Sequence, residues 1–527
     1  MKLSYPPAIS QLEPALRAIA GLSTVDEIMR YLPAFEAAHA AINEEADAER
    51  RQEYLDGIER LMPGGAPARV FVLSFLVTVS PDARYLAELH RTLRQPEFTL
   101  QQRYFFYWQR IMRHVDVQAP DVPALEPTAF YCSLLESYRA SLNIRAPWIP
   151  SQERDPDSVV VITVQLLGLQ HAPTSDCLDY CRVLQTRLKK KVFLINAATL
   201  PWSLSLPYYN PIRFNYTEDY SRVGRLNFKD ERIDFYQCRQ PMPNREETGA
   251  IVTTVLQRKP SFVLSLGHSN IAADLCSEFL TVATMPFGTN LSRAKSNVYI
   301  LPRKRRPDDS SHMKEWQIAD EQIVEAEYTY RLPEHTPPVT RAELGLPDEA
   351  YVIAIVGNRL DVEITDTVAA ELSELLAETP QAYVVFLGVF AGFPEVTARH
   401  PMLAARSKFL GYRTDVLSVY ERCDAYFNPP RYGGATSAAY ALAMGLPVLT
   451  RQTGDVANSV GPRFVFDSFD AIEAFVKRAV NDAEHRREWA AAARARWEEL
   501  TDREGMLRTI VEGVAARADI RGPRPRS

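Results

Sequence analysis

The chain has 527 residues, a formal net charge of −6, 46% apolar residues and 24% charged residues. This composition is typical of a folded globular protein, and it excludes both wholesale disorder and the strongly basic surface of a nucleic-acid binder. The length predicts about two to four domains. The longest apolar run, Val70 to Val79, is shorter than the ~20 residues that cross a bilayer, and Met1–Pro7 lacks the apolar core of a signal peptide. We therefore expect a cytoplasmic protein without an integral membrane segment.

The cysteines predict buried, reduced thiols rather than disulfides or a metal site. Six cysteines in a chain of this length do not form a disulfide framework. Cys177 and Cys181 are spaced so that they share one face of a predicted helix. The sequence contains no CxxC or mixed Cys/His pattern with metal-ligand spacing, so we expect no metal.

Residues 1–147 have a mostly helical pattern. Helices are predicted over Ala83–Leu93 and, with many aromatic residues, over Arg103–Val115. The run from Tyr104 to Trp108 is more typical of packing between helices than of a ligand platform. We expect a helical N-terminal domain over 1–147, and prolines then mark a boundary before residue 158.

An alternation of strands and helices begins after this boundary. Val159–Val164 is a β-branched run, typical of a strand that is buried on both faces. A helix at Asp176–Leu188 and a strand at Lys191–Ile195 complete a βαβ unit. Further strands are predicted at Ser261–Leu266, Val282–Thr284 and Asn297–Ile300, and a helix at Ile271–Leu280. We expect a Rossmann-like domain over residues 158–335.

A second alternating series begins at Tyr351. Strands are predicted at Tyr351–Val356, Ala382–Leu387, Ala425–Asn428 and Pro447–Thr450, and helices at Asp366–Ala377, Val416–Arg422 and Thr436–Met444. This pattern predicts an α/β fold with a second Rossmann-like domain over 345–500, after a charged linker near 305–345 and before a C-terminal helix and tail over 501–527. Ligands of such sheets bind beyond the carboxyl ends of the strands, so we expect functional residues in those loops, at a cleft between the domains.

A glycine-rich turn follows the strand Ala425–Asn428. Gly433 and Gly434 allow a ligand to approach the backbone closely, and the hydroxyls of Thr436 and Ser437 lie where they can cap the helix or bind a phosphate. The free N–H groups and the dipole of the helix start favour an anion. Taken alone, the glycines favour a plain turn with a Thr cap, so the prediction of a phosphate site depends on the surrounding sequence.

The surrounding sequence, from Phe409 to Thr450, resembles the donor half of GT-B glycosyltransferases. The motif Gly445-Leu446-Pro447-Val448-Leu449, after an Ala/Met-rich helix and a glycine-rich turn, carries most of this resemblance. The segment is similar to retaining glycosyltransferase family 4, and its Thr-Ser turn resembles the O-GlcNAc transferase-like family. The resemblance is good over 345–500 and weak over 158–300. It implies a GT-B fold of two tandem Rossmann-like domains and a nucleotide-sugar as the co-substrate.

The resemblance also implies roles for single residues. Gly434, Thr436 and Ser437 would hold the distal phosphate of the donor. Arg359, next to Asn358 in a loop directly after a strand, would bind the diphosphate, because a guanidinium can bind two phosphate oxygens at once. An ordinary surface salt bridge is the alternative for Arg359.

Further donor contacts are implied for Phe409, Leu410 and Gly411, which would contact the base largely through their backbone. Tyr440 stands where the family has an acidic residue that binds the ribose, and Gly433 lies near the position of the family's turn glutamate. A phenol bonds a ribose hydroxyl less strongly than a carboxylate does. These two departures leave the identity of the donor open.

His171 is the first candidate on the acceptor side, in the loop after the strand Val159–Val164. Its ordinary pKa of about 6.5 suits a general base near neutral pH, or a donor to the leaving phosphate or sugar. A structural role for this histidine is equally compatible with the sequence. Thr174 and Asp176 are predicted to cap the following helix.

His268 is a rival candidate, followed by Ser269 and Asn270 where another strand ends and a helix begins. Thr289, in the loop Pro286–Asn290, is a third predicted feature of the cleft. No Asp-x-Asp motif follows a strand, so the donor is not expected to need a metal.

Together these patterns predict a metal-independent glycosyltransferase that moves a sugar from a nucleotide-diphosphate-sugar to a protein or glycan acceptor, with no other cofactor. Catalysis by His171 as a base would invert the anomeric centre, and a binding role alone leaves retention open. A nucleotide-sugar 2-epimerase and a catalytically silent binding partner are the alternatives. We expect residues 1–147 either to recognise a large acceptor or to serve in oligomerisation. The second role would make the protein a homo-oligomer. No nucleic-acid partner is expected.

Overall fold

The computed structural model describes residues 7–521 except 81, 113–125, 170, 214–219, 221, 240–241, 334–336 and 432. In these ranges a helical region precedes two α/β domains. No helix in the described ranges is both long enough and apolar enough to span a membrane. All six cysteines are free thiols, and Cys177 and Cys181 are buried as predicted.

The helical region begins the chain. Its second helix is capped by Thr24, whose Oγ1 accepts a hydrogen bond from the Glu27 N–H, and its fifth is buried all round because its sequence is almost wholly apolar. The side chains from Tyr104 to Trp108 are buried, which confirms their predicted place in the core. The helices are α1 Pro7–Ile19, α2 Val25–Met29, α3 Leu32–Glu44, α4 Ala48–Arg60, α5 Ala66–Val79, α6 Ala83–Leu93, α7 Leu100–Met112 and α8 Pro127–Leu142.

The first sheet has eight strands in the described part of the chain. They are β1 Asp155–Thr163, β2 Lys191–Asn196, β3 Arg225–Phe228, β4 Glu231–Gln237, β5 Pro260–Leu266, β6 Val282–Met285, β7 Val298–Leu301 and β8 Ile323–Glu325. The order is β3-β4-β2-β1-β5-β6-β7-β8, and every pair is parallel except the β3–β4 hairpin. The accompanying helices are α9 Ala172–Thr186, α10 Arg245–Arg258, α11 Ile271–Cys276 and α12 Asp309–Trp316.

The segment 305–345, predicted as a linker, differs from that expectation. It contains α12 and β8, and β8 is the edge strand of the first sheet. Its charged residues are compatible with these elements because several of them form ion pairs, among them a buried pair between Arg303 and Asp309.

The helical region and the first sheet share one hydrophobic core. Val160 and Ile162 of β1 belong to the same cluster of buried residues as Phe35 of α3 and Phe71 of α5. The alternate residues of β1 point to the opposite face, because successive side chains of a strand alternate. α8 packs against α10 and α11, which contact β1, β5 and β6, so the N-terminal helices join the first domain on this side of the sheet.

The second sheet has six parallel strands in the described residues. They are β9 Tyr351–Gly357, β10 Ala382–Gly388, β11 Ser407–Phe409, β12 Ala425–Phe427, β13 Val448–Arg451 and β14 Val465–Phe466. The order β11-β10-β9-β12-β13-β14 is that of dinucleotide-binding sheets, and its direction reverses between β9 and β12. Ligands of such sheets bind at this point of reversal.

The helices of the second domain lie before, between and after these strands. They are α13 Arg341–Leu344, α14 Leu360–Glu363, α15 Asp366–Glu378, α16 Phe393–Arg399, α17 Pro401–Arg406, α18 Val416–Tyr420, α19 Ala435–Ala443, α20 Gly454–Val460, α21 Phe469–Asn481 and α22 Ala483–Glu499. A last helix, α23 Arg503–Ala515, returns to the first domain, where Arg503 forms ion pairs with Asp176 and Asp179 of α9. The predicted α/β class with two Rossmann-like domains and a helical N-terminal region is confirmed.

Candidate active site

The glycine-rich turn lies at the carboxyl end of β12, where the second sheet reverses. Gly433 and Gly434 have φ angles of +87° and +88°, a left-handed conformation that strongly favours glycine. α19 begins at Ala435, so Gly434 is its N-cap, and no side chain caps it. Thr436 and Ser437 lie inside the first turn of the helix rather than at the cap, so the plain Thr-capped turn is not what forms.

The start of α19 is left open to a ligand. Three other helices of this domain are capped by hydroxyl groups, α13 by Thr340, α15 by Thr365 and α21 by Ser468. Among the described residues, none accepts a hydrogen bond from the N–H groups of residues 435–437. Residues 433–437 are partly exposed. Unpaired, accessible N–H groups at the positive end of a helix dipole form an anion site.

This turn lines the cleft between the two domains. The cleft has a volume of about 110 Å³, below the ~300–1,000 Å³ of typical ligand sites. This pocket is partly open to solvent, so a nucleotide-sugar would extend beyond it. The lining residues are Ala172, Pro173, Phe287, Gly288, Thr289, Tyr328, Tyr330, Gly433, Gly434, Ala435, Thr436 and Asp455.

Arg359 lies beside the turn, after the carboxyl end of β9. Its side chain is 62% exposed, and its Nη2 lies 3.1 Å from Oε1 of the buried Glu363. A Cβ atom built on Gly433 would lie 3.7 Å from the same Nη2. Asn358 is exposed next to it. The structure thus brings the guanidinium and the open helix start together, and it also shows the salt bridge that the sequence offered as an alternative.

Arg431 and Glu363 are site residues that the sequence analysis did not single out. Arg431 is buried, and its Nη1 donates to Glu363 Oε2 at 2.7 Å. No local sequence signal identifies this pair, because its members lie 68 positions apart in the chain.

His171 is the N-cap residue of α9, whose first residues line the cleft opposite the turn. Its Nδ1 lies 3.1 Å from Thr174 Oγ1, and that oxygen accepts a hydrogen bond from the Leu167 N–H at 2.9 Å. The Thr174 hydroxyl proton can then bond Nδ1, an arrangement that favours a neutral ring with its proton on Nε2. Burial lowers the pKa of His171 below 6.5. The geometry therefore favours a hydrogen-bond donor over a base at Nε2.

Thr174 and Asp176 do not cap α9, in contrast to the prediction. α9 begins at Ala172, three residues before the start that an N-cap at Thr174 would give, and Pro173 lies in its first turn. Asp176 instead accepts hydrogen bonds from Arg503 at 2.7 Å and from the Tyr328 hydroxyl. It therefore belongs to the contact between α9 and α23.

Tyr440, at the position of the family's ribose-binding acid, is partly buried on α19. Burial and the nearby Asp176 carboxylate raise the pKa of Tyr440 to about 12, so its hydroxyl stays protonated at neutral pH.

His268 has an exposed ring at the carboxyl end of β5, and its Nδ1 accepts a hydrogen bond from the Arg293 N–H at 3.2 Å. The protein around the ring, together with Arg293 and His312, lowers the pKa of His268 to about 4. The ring is accessible to solvent yet has protein on most sides, and it is neutral at physiological pH.

The neighbours of His268 do not face the cleft, which corrects the prediction for them. Ser269 is buried, and its Oγ bonds the Arg293 carbonyl at 2.7 Å and the Tyr107 hydroxyl at 2.8 Å. Asn270 is buried and accepts a hydrogen bond from the Ala273 N–H, which caps α11. Both side chains are used in packing against the N-terminal helices and in starting a helix.

Thr289 does lie in the cleft, where it joins the domains. Its N–H and its Oγ1 donate to Asp455 Oδ1 at 3.2 and 2.7 Å, and Asn458 Nδ2 donates to its Oγ1 at 2.7 Å. Both partners belong to α20, so this contact holds the cleft closed.

The predicted base-contacting segment is only partly a loop. Phe409 is the last residue of β11, and its ring packs against Phe390 and Phe393. Leu410 and Gly411 follow the strand, and the Gly411 carbonyl accepts a hydrogen bond from the Gly388 N–H at 2.9 Å. Within the described residues there is no group of three or more His, Cys, Asp or Glu side chains suited to a metal ion.

The comparisons with known proteins agree with this arrangement. Residues 338–496 match the family described as Glycosyl transferases group 1. A glycosyltransferase from Rickettsia africae ESF-5 has a similar structure, with a TM-score of 0.50 and 12% identity over 68% of this chain and 98% of that one. No curated protein matches the chain.

Two further solved structures are similar at lower scores. A mutant O-GlcNAc transferase from Thermobaculum terrenum has a TM-score of 0.49 and 14% identity, over 97% of this chain and 98% of that one. Anabaena Alr3699/HepE in complex with UDP-glucose has a TM-score of 0.45 and 13% identity, over 68% of this chain and 99% of that one.

Proposed function

We propose that this glycosyltransferase, whose residues 338–496 match the glycosyl transferases group 1 family, moves a sugar from a nucleotide-diphosphate-sugar to a protein or glycan acceptor. The diphosphate would bind at residues 433–437 and Arg359. One observation carries this proposal: the uncapped, partly exposed start of α19 lies at the reversal point of the second sheet, with the Arg359 guanidinium beside it.

The chemistry follows from where charge develops. When the bond from the anomeric carbon to the distal phosphate oxygen breaks, negative charge grows on that oxygen. The N–H groups of residues 435–437, the hydroxyls of Thr436 and Ser437, and Arg359 would surround that oxygen, so they would stabilise the transition state more than the bound donor. Metal independence is part of the proposal, because these groups supply the positive potential that the leaving group needs.

The first domain would supply the acceptor side. His171, at the start of the helix opposite the turn, would donate from Nε2 to the leaving phosphate or to a sugar hydroxyl. Tyr440 would bind the ribose through its protonated hydroxyl. The helices α1 to α8 would recognise the acceptor, since they are built onto the domain that lies opposite the donor site.

The test is a panel of ADP, CDP, GDP, UDP and dTDP, measured by thermal shift and calorimetry. The tightest ligand is then titrated into the Arg359→Ala variant, for which we expect at least a tenfold loss of affinity, because a guanidinium bonded to phosphate is removed. Arg399→Ala is the matched control, since Arg399 is a similarly exposed arginine of the same domain whose partner is Asp366. Equal affinity of the Arg359→Ala variant and wild type would remove Arg359 from the site.

Assays of the wild-type protein also distinguish the transferase from a 2-epimerase and from a silent binding partner. Sugar-nucleotide interconversion without an acceptor would indicate a 2-epimerase. Failure of all five nucleotides to bind would support a silent binding partner instead of a transferase.

A further inference from the structure

The glycine-rich turn rests on a buried guanidinium. The Arg431 side chain is 4% exposed and donates from all three of its nitrogens. Nε bonds Asn428 Oδ1 at 2.8 Å, Nη2 bonds the Tyr426 hydroxyl at 2.8 Å, and Nη1 bonds Glu363 Oε2 at 2.7 Å. Every branch of the guanidinium is therefore fixed in direction, and none of these bonds is to the turn itself.

Two glycines pack against this guanidinium. A Cβ atom on Gly434 would lie 2.7 Å from Nη2 and 2.8 Å from Nε, and one on Gly357 would lie 2.7 Å from Nη1. Real Cβ atoms essentially never approach so closely. The turn and the end of β9 can therefore pack this closely on Arg431 only because Gly434 and Gly357 lack a side chain. The position of the Arg431 guanidinium thus determines where the backbone of the turn lies.

Glu363 connects the buried arginine to the exposed one. Its Oε2 bonds Arg431, and its Oε1 lies 3.1 Å from Nη2 of Arg359. Two guanidinium groups thus share one carboxylate, which leaves one positive charge in excess among these three side chains. Arg359 is the exposed member, so the excess charge faces the turn, where an anion would neutralise it.

We propose that Arg431 is a positioning residue for the diphosphate. It packs against the Gly433–Gly434 turn from the protein interior. Through Glu363, it also holds the Arg359 guanidinium beside that turn. It acts without touching the ligand. This inference rests on the proposed function, because it deepens the description of the same donor site.

The test compares Arg431→Lys with wild type for two ligands: the tightest nucleoside diphosphate of the panel, measured by calorimetry, and its nucleoside, measured by ligand-observed NMR. Lysine keeps the charge but cannot make three divergent bonds from a planar group. We expect the diphosphate affinity to fall at least tenfold while the nucleoside affinity stays within threefold. A general loss of structure would weaken both ligands alike. Arg154→Lys is the control, since Arg154 is a buried arginine of the first domain with several backbone and hydroxyl partners.

A second pair of variants keeps the proposal testable if Arg431→Lys does not fold. Gly433→Ala and Gly434→Ala add the same methyl group at nearly the same φ angle, but only the second presses on Arg431, because the first would have ordinary contact with Arg359. We expect Gly434→Ala to bind the diphosphate at least tenfold more weakly than Gly433→Ala. Equal losses in this pair, or an unchanged diphosphate affinity in Arg431→Lys, would overturn the proposal and leave the proposed function standing. A wild-type protein that binds none of the five nucleotides would overturn both.

Discussion

At the scale of single residues, the hydrogen bonds of His171 favour one of its two roles. The Thr174 hydroxyl lies against Nδ1 and accepts from the Leu167 N–H, which favours a proton on Nε2 and a ring that donates. A glutamine side chain can place an N–H near the position of Nε2, whereas it cannot act as a base. A donor role and a base role therefore predict different outcomes for the same substitution.

We expect His171→Ala to lower kcat roughly 10²–10³-fold, in the range of a hydrogen-bond donor to developing negative charge, and His171→Gln to recover at least a tenth of the wild-type kcat. The measurement is steady-state transfer with the donor identified in the nucleotide panel. A glutamine variant as slow as the alanine variant would indicate that His171 acts as a base. Near-normal turnover in both variants would exclude His171 both as a hydrogen-bond donor and as a base.

Arg431 shows which parts of the site the sequence could not predict. The turn was predicted as an anion site only from its context, because the two glycines alone favour a plain turn, whereas the resemblance of Phe409–Thr450 to a donor domain implied a phosphate. The pairing of Arg431 with Glu363 beneath the turn could not be predicted, because the two residues are 68 positions apart and no periodicity relates them. Ser269 failed for a similar reason: the tyrosine that binds its hydroxyl lies 162 positions earlier, on α7.

At the scale of elements, strands buried on both faces were predicted well. β1, β5 and β9 are near-continuous apolar runs, and such runs fit only a sheet that is covered on both sides. The β3–β4 hairpin was missed because its strands alternate exposed charged residues with buried ones at the edge of the sheet. β8 was missed because it has only three residues within a charged segment.

α6 carries a titratable group whose burial links stability to pH. His90 is buried against Phe106 and Phe130, and burial, assisted by Arg110 and Arg94, lowers its pKa to about 3. The unfolded chain binds a proton at this residue below about pH 6.5, whereas the folded protein does not until about pH 3. Between about pH 6.5 and pH 3, protonation of His90 in the unfolded chain therefore lowers the free energy of unfolding. This loss of stability grows as the pH falls.

His90→Phe should remove this dependence. One proton taken up only by the unfolded state costs about 1.4 kcal/mol per pH unit, so wild type should lose about 2 kcal/mol more stability than the variant between pH 6.5 and pH 5. Urea unfolding at the two pH values measures the difference. Parallel losses in both proteins would show that His90 titrates normally in the folded state.

At the scale of the whole molecule, two sets of polar contacts hold the domains around the cleft. Arg503 joins α23 to Asp176 and Asp179 behind the cleft, and Thr289 joins the loop after β6 to Asp455 within it. The first set ties the end of the chain to the first domain. The second lies beside the phosphate turn, where α20 also bonds Tyr330 through Ser459, so we expect it to influence how readily the cleft admits a donor.

Asp455→Ala should therefore shift the molecule towards an open form. Removing the carboxylate deletes both hydrogen bonds from Thr289, and donor entry limited by opening becomes faster as the open fraction rises. We expect a larger radius of gyration by X-ray scattering without ligand, and an association rate for the nucleoside diphosphate several-fold above wild type. Glu327→Ala is the matched control, because it removes one carboxylate at the same interface while its partner Arg496 keeps its bonds to Glu499 and to the Ser459 carbonyl. An Asp455→Ala protein with the wild-type scattering profile and association rate would show that this contact does not control entry.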